Sequence, residues 1–355
     1  MSALAALIER RIRAEGPISI ADYMAEALLH PEHGYYTTRD PLGARGDFIT
    51  APEVSQIFGE LLGLWCADAW NKLGRPPQVI LAELGPGRGT LMRDALRALR
   101  VIPEFRRALR LHLVERSPAL RRAQRATLAD AAPLWHDDLA ELPEGPLILI
   151  ANEFLDALPV RQLVRMADGW HERRVGLDAE GALTLTLDPM LAAAPDDAPP
   201  GSVRELRPAA AALAERLAAR LRAQSGFALF IDYGYAESAF GDTLQALRAH
   251  RPHAVLAAPG EADLTAHVDF AAFAAAARRA GARVWGPLPQ GALLARLGLA
   301  ERAAALIAGA DPAQIAAIES GSRRLVHPLE MGALFKALAL GGDHPAPAGF
   351  AEDRA

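Results

Sequence analysis

The stretch LAELGPGRGT at 81–90 sets a carboxylate, Glu83, two residues ahead of three alternating glycines, Gly85, Gly87 and Gly89. An apolar run leads in and a helix-forming run follows, so the loop joins a buried strand to a helix. Glycines there let backbone approach a nucleotide-like ligand. Two common ligands fit badly. No Gly-Lys-Ser/Thr follows at the P-loop spacing. A dinucleotide fold wants GxGxxG, and Thr90 stands where its last glycine would be. Pro86 removes an N–H that could meet a pyrophosphate, and Glu83 would repel one. Both objections fall away for a ligand with positive charge near Glu83. S-adenosylmethionine carries an ammonium and a sulfonium, and a carboxylate followed by GxGxG suits its methionine portion.

Further acids follow in order. Glu115 ends the strand LRLHLVE, where a carboxylate can accept from both ribose hydroxyls. Asp137 and Asp138 end the next strand, within reach of an adenine amino group. Solvated strand-end charge is the plain alternative for Glu115 and Asp138. After a fourth strand, ANEFLDALP gathers Asn152, Glu153 and Asp156. If the chain turns helical at Glu153, Glu153 and Asp156 share a face at i, i+3. Paired carboxylates can clamp a planar guanidinium. Capping of a helix N-terminus competes as the role of Asp156. The chemistry would be in-line methyl transfer to a substrate nitrogen, driven mainly by positioning at about 3–3.5 Å. It needs no metal. His267 and Asp269 in DLTAHVDF read as a capped helix start rather than a metal pair, and His30, His33, His250 and His253 lack ligand spacing.

These residues need a frame. Leu4, Leu7, Ile8 and Ile12 recur at helical spacing, and a second helix runs to Leu29. A long loop precedes a helix from about Pro52 to Leu73. From residue 78 strands alternate with helices, which predicts a parallel sheet covered by helices. An insert with DG and EG turns predicts one or two hairpins and a helix ending at Gly226. The strand GFALFIDYGY follows, and its end IDYGY, with Asp232 and two tyrosines, is expected to line a substrate channel, with simply packed tyrosines as the alternative. Residues 290–340 read mainly as helices.

The formal net charge of -5 argues against a nucleic-acid partner. A single cysteine, Cys66, excludes an intrachain disulfide and reads as core. No apolar run is long enough to span a membrane. The first sixteen residues lack a signal-peptide core, and Glu9 and Glu15 argue against a transit peptide, so a cytoplasmic location is expected.

The blocks GDFITAPEVSQIFGELLG, ELGPGRGTLMRD, ANEFLDALPVRQ, FIDYGY, DLTAHVDF and MGALFKAL together resemble the MidA-like family, from about residue 16 to residue 340. These are class I S-adenosylmethionine-dependent methyltransferases related to the mitochondrial complex I assembly methyltransferase. The resemblance implies an α/β, Rossmann-like, mostly parallel sheet with helices on both faces, plus N-terminal helices, an insert and helical C-terminal additions. It also implies methylation of protein arginine, with a complex I core subunit as the target in mitochondrial members. Its cofactor motif falls on Glu83, Gly85, Gly87 and Gly89. Its strand-end positions fall on Glu115 and Asp137 or Asp138, and its post-strand motif on Asn152, Glu153 and Asp156. In GDFIT, Gly46 allows an unusual turn, Asp47 could meet an ammonium and Phe48 could cover the ligand. An ordinary Gly-Asp turn is the alternative.

The expected organisation is N-terminal helices and a cofactor-covering loop (1–75), a methyltransferase core (76–160 and 226–290), an insert (161–225), a helical C-terminal addition (291–340) and a mobile tail (341–355). The expected activity is a protein arginine N-methyltransferase with a protein substrate and no membrane insertion. Apolar residues of the C-terminal helices could serve a homodimer, a partner or the core. The alternatives are a small-molecule methyltransferase and a non-catalytic assembly protein that keeps the fold.

Overall fold

The computed structural model describes residues 2–38, 50–191 and 198–351. Chain contacts divide it into two compact units, one of residues 1–48, 156–211 and 238–267 and another of residues 49–155, 212–237 and 268–355.

The second unit carries the main sheet. Its strands are β1 (Val79–Leu84), β2 (Leu109–Val114), β3 (Leu134–His136), β4 (Leu147–Asn152), β5 (Gly226–Tyr235), β6 (Arg283–Pro289) and β7 (Phe335–Gly341). They lie in the order β3-β2-β1-β4-β5-β7-β6, and the pair Val268–Asp269 adds a short parallel edge to β5. Neighbours from β3 through β5 run parallel, whereas β7 is antiparallel to both β5 and β6. The runs VILAEL and LILIAN are buried at every position, as strands covered on both faces must be.

One face of the sheet packs on α1 (Gln56–Lys72) and α2 (Thr90–Ala98), with Leu81, Ile148, Ile150, Leu229 and Ile231 joining Phe58, Leu62, Met92 and Ala95 in one core. Gly59 and Gly63 make the α1–α2 contact close: a Cβ on Gly63 would stand 2.7 Å from the Ala95 carbonyl oxygen. The same face takes α3 (Pro118–Thr127), whose C-cap Leu128 joins that core, while the other face takes α4 (Pro208–Gln224) and α5 (Phe270–Arg279), where Phe230 meets Phe273 edge to face at 4.7 Å. Helix α4 begins in the first unit and ends in the second.

Three helices, α6 (Gln290–Arg296), α7 (Leu299–Ile307) and α8 (Pro312–Val326), complete this unit. Glu60 of α1 holds them through a buried ion triad. It accepts from Arg97 of α2 at 2.9 Å and from Arg302 of α7 at 2.7 Å. Burial alone would raise the Glu60 carboxyl, but hydrogen bonds from Arg302 and Arg97 hold it below its ordinary value. Its contribution to stability is therefore present above the ordinary carboxylate pKa and lost as pH falls through the lowered one. Glu60→Ala takes from Arg302 its carboxylate and leaves Arg97 with Asp94, 2.8 Å away, and is expected to cost about 2–3 kcal/mol, less than a fully buried pair because both arginines are partly exposed. A urea midpoint equal to that of the parent would remove the triad from the account of stability.

The first unit has its own core, built from Leu4, Ile8, Tyr23, Met24, Val175 and Leu264 among others. The helices Ala3–Glu15 and Ile20–Leu29 open it. An antiparallel sheet contains the two hairpins expected in the insert: Arg161–Arg165 with Trp170–Leu177, and the latter with Leu183–Leu187. Residues 245–265 form a three-stranded antiparallel sheet.

Three expectations are corrected. Ser55 is extended and breaks the predicted helix from Pro52 into a turn at Ala51–Val54 and the long α1, whose Ile57 N–H it caps. Phe335–Gly341 is a strand within the segment 291–340 expected to be helical, because a short run buried on both faces has no period to separate strand from helix. The segment expected as a tail from 341 instead packs on the core, with Ala346 buried and the Ala348 N–H donating to Asp68 Oδ2 at 2.8 Å.

Candidate functional site

The parallel strands β1, β2 and β4 end together at one rim of the sheet, with Leu84 level with Val114 and Ala151. Glu83 lies one residue before the end of β1 and is 3% exposed. Its Oε2 is buried and accepts no hydrogen bond among the described residues. Burial, with the charge of Glu115 adding to it, pushes the Glu83 carboxyl up to about 8. A buried carboxyl with an unsatisfied oxygen is a seat for a cation, which would restore the charged form.

The turn that follows is left-handed at Gly85 (φ 60°), Gly87 (φ 55°) and Gly89 (φ 82°). A Cβ on Gly85 would stand 2.9 Å from Cδ2 of Phe154, so the glycine turn and the segment after β4 are in close contact. Such a bare backbone fits close approach of a nucleoside ligand.

Glu115 follows β2. Its Oε1 accepts from the Ser117 N–H at 2.7 Å and its Oε2 from Gln124 Nε2 at 3.3 Å. Burial raises its carboxyl, against those donors. Asp137 is ion-paired with Arg121 at 2.6 Å. Asp138 accepts from the Ala140 N–H at 2.9 Å and pairs with Arg216 at 2.6 Å; the former and then the latter hold its carboxyl low. Both aspartates are thus engaged as strand-end charges usually are.

At the end of β4, Glu153 Oε1 accepts from the Ala51 N–H at 2.9 Å and from Asn152 Nδ2 at 3.1 Å. Oδ1 of the same asparagine is buried without a partner among the described residues. No helix starts at Glu153, whose φ of 49° is left-handed, so the shared helical face expected for Glu153 and Asp156 does not form. The cause is Asp232 of β5. Its Oδ2 accepts from the N–H groups of Phe154 and Leu155 at 3.0 and 2.8 Å, and it is 1% exposed. A residue expected to line a channel instead clamps the loop. Asp156 opens a segment of the first unit, where its carbonyl accepts from the Ala266 N–H at 3.1 Å, and it caps no helix. Gly46, Asp47 and Phe48 lie outside the described residues. Asp269 caps α5 through the Ala272 N–H at 2.8 Å.

A family model described as "Putative S-adenosyl-L-methionine-dependent methyltransferase" matches residues 61–288. The chain belongs to this family. The methyltransferase resembles "Protein arginine methyltransferase NDUFAF7, mitochondrial" of Danio rerio, 37% identical over 92% of this chain and 84% of that protein. The protein of the same name in Homo sapiens is 36% identical over 93% of this chain and 81% of its own length. A Burkholderia thailandensis protein whose crystal structure holds S-adenosyl-homocysteine superposes with a TM-score of 0.85 at 32% identity, covering 98% of this chain and 94% of that one. The class I methyltransferase fold and the S-adenosylmethionine requirement expected from sequence therefore hold. The expected cytoplasmic location does not: these relatives are named as mitochondrial. That expectation drew on the charge pattern of sixteen residues, which does not fix a compartment.

Sequence reasoning missed three residues of this methyltransferase. Gln124, fully buried on α3, donates from Nε2 to the Gly87 carbonyl at 2.7 Å as well as to Glu115, and its Oε1 accepts from Trp135 Nε1 at 2.8 Å. One amide thus ties the glycine turn to the acid after β2. Its signal was a polar residue four after Leu120, on the apolar stripe of α3. Gln124→Leu is expected to weaken S-adenosyl-homocysteine binding about tenfold, the equivalent of about one hydrogen bond; calorimetry giving the parent Kd would count against this. Glu53 takes the Thr90 hydroxyl at 2.5 Å. In the first unit, Arg207 donates to the carbonyls of Leu158, Ala266 and Asp156. No spacing rule points to either.

Proposed function

We propose that this methyltransferase methylates a guanidino nitrogen of arginine in a protein substrate. Glu153 carries the reading: a carboxylate at the end of β4, fixed through one oxygen by the Ala51 N–H and Asn152. A guanidinium offers planar donors and no acceptor, so a fixed carboxylate can orient it and receive the proton it loses. Glu83 takes the ammonium of the cofactor, the glycine turn meets its methionine portion, and Glu115 takes the ribose hydroxyls. Bound S-adenosylmethionine supplies a methyl carbon on a sulfonium. The names of the relatives and the insert at 161–225 support a protein rather than a small molecule. A respiratory complex I subunit, which the family resemblance implies, is the first substrate to test.

The test is incubation of the purified chain with radiolabelled cofactor and a cell extract, then acid hydrolysis of the labelled product. Label in methylarginine is expected. Label confined to small molecules, or to another amino acid, contradicts the reading.

A further inference from the structure

We infer that Glu53 is the second carboxylate of the methyl-acceptor site and that it binds the substrate guanidinium together with Glu153 and Asn152 Oδ1; this rests on the arginine reading above. The argument starts from connectivity. The single turn Ala51–Val54 gives its first N–H to Glu153 Oε1 at 2.9 Å, and Glu53 stands two residues along that turn. From the other side, Thr90, the residue after the glycine turn, donates its hydroxyl to Glu53 Oε1 at 2.5 Å. Glu53 is therefore strung between the glycine turn and the carboxylate at the end of β4. It is half-buried, open enough to meet a substrate and shielded enough for its charge to count.

An independent observation points to a ligand here. Asn152 spends its Nδ2 on Glu153 while its Oδ1, in a side chain 7% exposed, is buried without a partner among the described residues. A buried acceptor left unmade costs free energy that a ligand donor can return. Two carboxylates and one amide oxygen offer acceptors only. The group that answers them is cationic and rich in donors, and guanidinium presents five N–H donors in one plane. A phosphate or carboxylate substrate would be repelled. The pairing first expected, Glu153 with Asp156 on one helical face, has no helix to support it.

In the reaction the guanidino nitrogen forms a bond to the methyl carbon as the methyl–sulfur bond breaks. The electron pair of that bond stays on sulfur as a neutral thioether. The proton lost from nitrogen passes to Glu153 and then to water, while Glu53 keeps the rest of the group in plane.

The experiment uses the full chain, radiolabelled S-adenosylmethionine and cell-extract protein, with labelled methylarginine as the product measured and S-adenosyl-homocysteine affinity measured beside it. Glu53→Gln keeps an oxygen for Thr90 and removes the charge. It is expected to lower methylarginine formation about 100-fold while S-adenosyl-homocysteine affinity moves less than about threefold. Thr90→Val, which cuts only the tether, is expected to keep methylarginine formation well above that of Glu53→Gln. Wild-type label in methylarginine with Glu53→Gln within about threefold of it overturns the role of Glu53 and leaves the arginine reading standing. A matching loss of cofactor affinity, or an equal loss in Thr90→Val, makes Glu53 a prop for the glycine turn and also overturns the role. Wild-type label outside methylarginine overturns the arginine reading itself.

Discussion

Glu83→Gln is expected to weaken S-adenosylmethionine binding about 100-fold, since a charge-assisted contact made in a buried place is worth about 1.5–3 kcal/mol. Shape is preserved, so the loss reports charge. In the free protein the Glu83 carboxyl titrates near 8, because burial and then the charge of Glu115 disfavour ionisation. A cationic ligand needs the ionised form. Binding should therefore release a proton, and Kd should tighten by up to about tenfold per unit as pH rises from about 6 to 7.5. In Glu83→Gln that slope should vanish.

The same residue makes a prediction of opposite sign for the free chain. A carboxyl whose folded pKa is raised gives its full stability below the unfolded value and loses it as pH rises towards the folded one, here between 4.5 and about 8. Glu83→Gln should thus melt higher than its parent at pH 8 and not at pH 4. A pH-independent Kd in the parent, or no stabilisation of the variant at pH 8, would mean that the buried oxygen is satisfied in some other way. Function here is held at the expense of stability.

Glu153→Gln is the second large effect. Glutamine keeps an oxygen to accept from the Ala51 N–H and from Asn152 Nδ2, so the loop after β4 should stay in place. What is lost is the charge that orients a guanidinium and the base that receives its proton, and positioned acid–base groups contribute about 100- to 10,000-fold. Methyl transfer should fall by at least about 100-fold, with S-adenosyl-homocysteine affinity within about threefold of the parent. Equal loss of affinity and turnover would move Glu153 from chemistry to cofactor binding.

Much of the frame was legible because its signals are local. A buried strand, a glycine turn and an amphipathic helix each announce themselves within about ten residues, as VILAEL, GPGRG and TLMRDALRA do. The hairpins of the insert were legible from their turn residues. What escaped depends on distant partners. Asp232 looks like a channel residue until its backbone donors, 77 and 78 positions away, are known. Glu153 looks like a helix start until those donors are taken from it. Glu53 and Gln124 each owe their interest to a partner 37 residues away. The FKALALG strand escaped because burial on both faces erases the alternation that marks a strand.

The position of β7 has a consequence for biosynthesis. Among the strands of this sheet it is the last to leave the ribosome, yet it belongs between β5 and β6. Until it arrives, β5 shows an unpaired apolar edge to the cell, and unpaired edges invite pairing with other chains. A premature stop before residue 335 would therefore not trim a periphery. It would leave a gap inside the sheet, and such products should be cleared by proteases or aggregate rather than persist as shortened enzymes.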